Sequence, residues 1–147
     1  MTAAVGSGVD TGFYTYTGPS QHTAWNEVDI EILGRNTRAV QFTYHVGNQQ
    51  RATTIPLPFD SAVESHSYGF DWQPRYINWY IDGKLAHTET GATLPLPDIS
   101  QQVMFDVWNS DALSGWMGHF VWPGHPITAH VRCIARSDHF SGVRLCN

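Results

Sequence analysis

Glu27, Asp29 and Glu31 alternate with Val28, Ile30 and Ile32 in the segment Trp25-Asn26-Glu27-Val28-Asp29-Ile30-Glu31-Ile32-Leu33. Side chains of an extended chain point to opposite faces with a period of two, so the three acids share one face and the three aliphatics the other. Three carboxylates in a row repel one another, have no basic residue beside them, and belong to a residue class depleted in strands. A solvated acidic edge or a calcium-collecting face is the plainer reading. The sharper one is a catalytic pair with a third carboxylate between its members. Residues four apart on a strand lie ~13 Å apart at Cα. On a concave sheet, inward-leaning glutamates could close to the ~5–5.5 Å at which one carboxylate attacks an anomeric carbon and the other protonates the leaving oxygen. Charge on Asp29 would raise the proton affinity of the acid, and a hydrogen bond from it would orient the attacking group.

Such a trio needs rigid, pleated support. Short apolar or alternating runs separated by Gly, Pro, Asn and Asp predict strands over residues 9–17, 25–33, 39–46, 67–72, 76–81, 85–90, 102–109, 117–122 and 127–135. Asp82-Gly83 between two alternating runs predicts a type I′ hairpin, whose two central residues need positive φ. A helical stripe is missing throughout; residues 113–118 make one turn at most. About nine strands at this spacing define an all-β sandwich or barrel, in one unit over residues 1–147.

Composition narrows the partners. The chain has 147 residues and a net charge of −5, and its basic residues cluster no more densely than Arg35 with Arg38, so nucleic acid and anionic membrane are excluded as expected partners. No run approaches the ~20 apolar residues of a membrane span, and no signal peptide is visible after Met1. Six Trp, six Tyr and seven Phe supply flat faces for sugar rings or for a core. No two of the eight histidines stand two or four apart on one expected element with an acid alongside, so no metal is expected, and no cofactor. No Gly-x-Ser-x-Gly occurs. Cys133 and Cys146 either pair or remain free thiols.

The segment from Trp25 to Gly34 resembles the signature of glycoside hydrolase family 16, the bacterial lichenases and related endo-β-glucanases. Gly12-Phe13-Tyr14-Thr15-Tyr16-Thr17-Gly18-Pro19, Tyr68-Gly69-Phe70-Asp71-Trp72, Tyr80-Ile81-Asp82-Gly83, Val107-Trp108-Asn109 and Gly115-Trp116-Met117-Gly118 extend the resemblance from about Ala3 to Arg136. It implies a jelly-roll β-sandwich with a concave cleft and a retaining endo-β-glucanase: Glu27 as nucleophile, Glu31 as general acid/base and Asp29 as helper. Tyr14, Tyr16, Trp25, Asp106, Trp108, Asn109 and Trp116 match positions along the sugar subsites. The unbulged Glu27-x-Asp29-x-Glu31 spacing is similar to that of lichenases and xyloglucan transglycosylases, which favours β-1,3-1,4-glucan as substrate, with a succinoglycan-type exopolysaccharide next. A secreted or periplasmic location follows from the same resemblance. A transglycosylase uses the same acids; a non-catalytic sugar binder has no use for three juxtaposed carboxylates.

Departures are equally specific. Thr43, His45 and Asp106 stand where lichenase-type members commonly carry Asn, Tyr and Asn. Ala129-His130-Val131-Arg132-Cys133 lacks the Asp of the family's frequent calcium site, so no calcium is expected. Met1-Thr2-Ala3-Ala4 matches the middle of a family strand, so the opening strands are expected to be missing and the uncovered edge to be shielded in a homo-oligomer.

Overall fold

The computed structural model describes residues 1–138 of the chain. Among these residues the strands are β1 (Val9–Thr17), β2 (Asn26–Leu33), β3 (Ala39–Val46), β4 (Gln49–Pro56), β5 (Tyr68–Gln73), β6 (Tyr76–Ile81), β7 (Lys84–Glu89) and β8 (Gln102–Asn109), followed by a single helical turn, α1 (Ser114–Met117). They form two antiparallel sheets, one ordered β4-β3-β2-β1-β8 and the other β5-β6-β7. The expected all-β architecture is present, and β2 occupies the centre of the larger sheet.

The reason for this arrangement is the alternation along β2. Val28, Ile30 and Ile32 are fully buried, and Val40, Phe42 and Tyr44 from β3 join them on the same face. Ile77 and Trp79 of β6 pack onto this layer from the smaller sheet, with Leu57 and Leu94 filling the periphery. Phe42 and Trp79 stack with ring centroids 5.6 Å apart. The indole N–H of Trp79 also donates to the carbonyl oxygen of Asp29 at 3.0 Å, and the Tyr44 hydroxyl donates to the Leu94 carbonyl at 2.8 Å. These bonds satisfy the polar atoms of two large aromatic residues that burial would otherwise leave unpaired.

Turn chemistry fixes the registers. Asp82 and Gly83 have φ of 51° and 74°, the paired positive values of the expected type I′ turn, and Ile81 faces Lys84 across it. A second two-residue hairpin, Gly47-Asn48, joins β3 to β4. β4 was not expected from the sequence. It is an edge strand bonded on one side only, and polar Gln49, Gln50 and Arg51 carry no alternating apolar signal.

Two expected strands do not form. Residues 117–122 begin with the last residue of α1, whose backbone turns through Gly118 at φ 87°. Here the Met117 carbonyl accepts from Gly8 N–H at 2.7 Å, and the Met117 side chain is fully buried. Residues 127–135 contribute only an isolated antiparallel bridge, His130 with Thr2, in which the two residues exchange backbone bonds of 2.8 and 3.0 Å. Cys133 is disulfide-bonded; the other cysteine, Cys146, lies outside the described residues.

Gly8 is under a double constraint, at φ +75° and with an added Cβ colliding with the Phe120 backbone. Gly47 shares the positive φ, at +58°, but has nothing within 4 Å. Gly8→Ala is therefore expected to cost more than about 2 kcal/mol of unfolding free energy, and Gly47→Ala only about 1. Urea midpoints of the two variants check the difference.

Candidate active site

The antiparallel registers assemble a polar face opposite the core. Across β1 and β2, Gly12 faces Glu31, Tyr14 faces Asp29 and Tyr16 faces Glu27. On the other side of β2, His45, Thr43 and Gln41 face Glu27, Asp29 and Glu31 respectively. β8 adds Asp106 opposite Gly12 and Trp108 opposite Asp10. Asp10, Gly12, Tyr14, Glu27, Asp29, Glu31, Asp106 and Trp108 line one cavity of about 230 Å³. All three acids of β2 thus open into a single space.

Each carboxylate has its own partners. Glu27 accepts from the Trp25 indole N–H at 2.5 Å, and the Trp25 ring stacks on His45 with centroids 4.6 Å apart and planes 9° apart. Glu31 accepts from the Thr43 hydroxyl at 3.2 Å and from the Gln41 amide at 3.3 Å. Gln41 is itself held by the Trp116 indole N–H, which donates to its Oε1 at 3.1 Å. Asp106 accepts from the Tyr14 hydroxyl at 2.8 Å, and Asp10 from the Trp108 indole N–H at 3.1 Å. The glycine at position 12 makes room for Asp106, since a Cβ there would stand 2.9 Å from Asp106 Oδ1.

Of the residues singled out in the sequence, Tyr14, Glu27, Asp29, Glu31, Asp106 and Trp108 meet in the cavity wall. Trp25 and Trp116 stand behind it, each hydrogen-bonded to the acids directly or through Gln41. Trp116 also lies 6.0 Å from Trp108, ring centre to ring centre. Tyr16 shares the face of Glu27, but its hydroxyl end packs over Gly18, outside the cavity lining. Asn109 faces Val9 and so falls on the side of β8 opposite Trp108. Asp10 and Gln41 were missed. The period-two rule could have found both, because Asp10 precedes Gly12 and Tyr14 at the right spacing, and Gln41 precedes Thr43 and His45.

The family model for glycosyl hydrolases family 16 matches residues 1–124. The chain belongs to that family. It is 43% identical over 123 residues to a β-glucanase of Paenibacillus polymyxa, an alignment that covers 82% of this chain and 50% of the relative. Among solved structures, the Bacillus licheniformis β-glucanase superposes with a TM-score of 0.75 at 39% identity, over 82% of this chain and 55% of that one. A prokaryotic β-1,3-1,4-glucanase (lichenase) from a mouse hindgut metagenome gives a TM-score of 0.72 at 35% identity, with the same coverage. This family 16 chain spans about half the length of the curated relatives it matches.

In this family 16 chain the cavity holds five carboxyl groups and no Lys or Arg. Burial is the main reason that all five bind protons more tightly than usual. Asp10 is pushed up to about 8, with Glu31 charge contributing, and Glu31 up to about 7, partly offset by its bond from Thr43. Asp29, 3% exposed and flanked by Glu27 and Glu31, is raised well above the normal carboxylate range. Glu27 and Asp106 are also raised by burial, but bonds from Trp25 and Asp29 oppose the shift at Glu27, and the bond from Tyr14 opposes it at Asp106. Deeper burial and the charges of Glu27 and Glu31 thus raise Asp29 the more strongly of the two, while the bond from Trp25 holds Glu27 down.

Raised carboxyl pKa values mean that the folded state binds more protons than the unfolded chain once pH exceeds the unfolded values near 4. Stability from these groups is complete below that range and lost as pH climbs through about 7 for Glu31 and about 8 for Asp10. His45, whose imidazole is held neutral by burial, acts in the opposite sense below its ordinary value, but it is one group against several. The unfolding free energy is expected to fall by at least about 2 kcal/mol between pH 5 and pH 8.5, and Asp10→Asn to flatten that slope. Thermal or urea unfolding across the range provides the measurement.

Proposed function

We propose that the chain acts as a retaining endo-β-glucanase in which Glu27 is the nucleophile, Glu31 the general acid/base and Asp29 the proton-bearing helper. The observation that carries this reading is the convergence of three β2 acids on one cavity with unequal hydrogen-bond environments. Glu27 receives donors suited to an anion, whereas Glu31 is poised near neutrality by burial. Glu27 attacks the anomeric carbon as the glycosidic C–O bond breaks, and the proton of Glu31 goes to the departing oxygen. Glu31, now a carboxylate, then takes a proton from water; the resulting oxygen nucleophile displaces Glu27, and both residues return to their starting states.

Mixed-linkage β-1,3-1,4-glucan is the favoured substrate. β2 runs in unbroken register with both neighbours across Glu27 and Glu31, in keeping with the unbulged motif, and the related proteins are named as β-glucanases. Succinoglycan-type exopolysaccharide is the next candidate. A polymeric substrate and a disulfide-bonded Cys133 both suit a location outside the cytoplasm.

Purified protein incubated with lichenan, laminarin, xyloglucan and succinoglycan, with products sized, is expected to cut lichenan into short oligosaccharides. Glu27→Gln should lower turnover on the order of 10³-fold or more while glucan binding persists, because the amide retains shape but cannot attack. For Glu31→Ala, azide should restore part of the activity and yield a β-glycosyl azide by displacing Glu27 from the glycosyl-enzyme. An α-azide product would reverse the two assignments.

A further inference from the structure

His45 lies directly across from Glu27, on the same sheet face as Asp29. One donor atom from each of Glu27, Asp29 and His45 lies within 4.8 Å of the other two. His45 Nε2 stands 3.6 Å from Asp29 Oδ2, an ion-pair contact beyond hydrogen-bonding distance, and that oxygen is buried without a hydrogen-bond partner. Asp29 is 3% exposed and lines the cavity, so an unpartnered, almost wholly buried oxygen is directed into the cluster. The stack of Trp25 on His45 holds the imidazole in place. The three groups come from two paired strands, Glu27 and Asp29 from β2 and His45 from β3, rather than from a spacing within one element.

We infer that Glu27, Asp29 and His45 form a zinc site, and that zinc occupancy and glucan cleavage exclude one another. Zinc takes imidazole nitrogen and carboxylate oxygen at about 2.0–2.2 Å, which sets tetrahedral ligands about 3.4 Å apart. The His45–Asp29 pair already stands close to that spacing. Rotation of the Glu27 side chain closes the rest, leaving the fourth position to water in the cavity. Calcium, which takes six to eight oxygen ligands, suits a set containing one nitrogen and two carboxylates poorly. The site itself depends only on the three side chains; the exclusion of cleavage rests on the assignment of Glu27 as the attacking group.

Titration of the full chain with zinc chloride by calorimetry, and with cobalt(II) as a visible-absorption probe, is expected to give one ion per chain in a low-symmetry nitrogen/oxygen site. His45→Gln should weaken zinc binding by at least the roughly 10–100-fold that follows loss of an outer-shell partner, with an unchanged circular dichroism spectrum. If His45→Gln fails to fold, Glu27→Gln provides the same comparison. No uptake by the native protein, or equal affinity in both variants, overturns the site. Zinc should inhibit lichenan cleavage by the native protein and inhibit the His45→Gln variant less. His45-dependent zinc binding that leaves cleavage untouched would uphold the site and refute the role given to Glu27.

Discussion

The alternation of acid and aliphatic residues along β2 is the constraint on which the rest of the molecule depends. The strand cannot bury Val28, Ile30 and Ile32 without presenting Glu27, Asp29 and Glu31 to the opposite face. A register slip of one residue would put three carboxyls into the core, so the same apolar contacts that stabilise the sandwich also aim the acids. Trp79 strengthens this coupling: it fills the core on one side of β2 and holds the Asp29 carbonyl by its indole N–H.

Crowding five carboxyl groups into one cavity is unfavourable, and the surrounding side chains show how it is tolerated. Cations do not offset the charge there. Neutral donors do: Trp25 for Glu27, Thr43 and Gln41 for Glu31, Tyr14 for Asp106 and Trp108 for Asp10. Retained protons do the rest. Neutral donors fix directions without collapsing the carboxylates into ion pairs, which leaves the acids free to exchange protons at an incoming ligand.

The residues that were legible in the sequence are those whose signal is periodic or whose turn has strict backbone demands. The β2 alternation placed the three acids, and Asp82-Gly83 located a hairpin that the structure reproduces with both φ values positive. β4 escaped because an edge strand needs no apolar rhythm, and residues 117–122 looked like a strand because Met117, Phe120, Val121 and Trp122 are apolar; the turn at Gly118 and the bond to Gly8 decide otherwise. Asp10 and Gln41 obey the period-two rule within their own strands, but the proximity of His45 to Asp29 depends on which strands pair, information that no single segment contains. Tyr16 and Asn109 carried the right residue types, but side-chain direction and strand face keep both out of the cavity wall.

The strand order gives the cavity two different kinds of wall. Its floor, on β2, is bonded to neighbours on both sides, whereas Asp106 and Trp108 ride on β8, which among the described strands is bonded to β1 alone. Displacing an outer ladder disrupts one set of backbone bonds; displacing the middle disrupts two. Changes on that rim therefore disturb fewer backbone bonds than changes at the floor, so the rim can vary while the three acids of β2 stay in register.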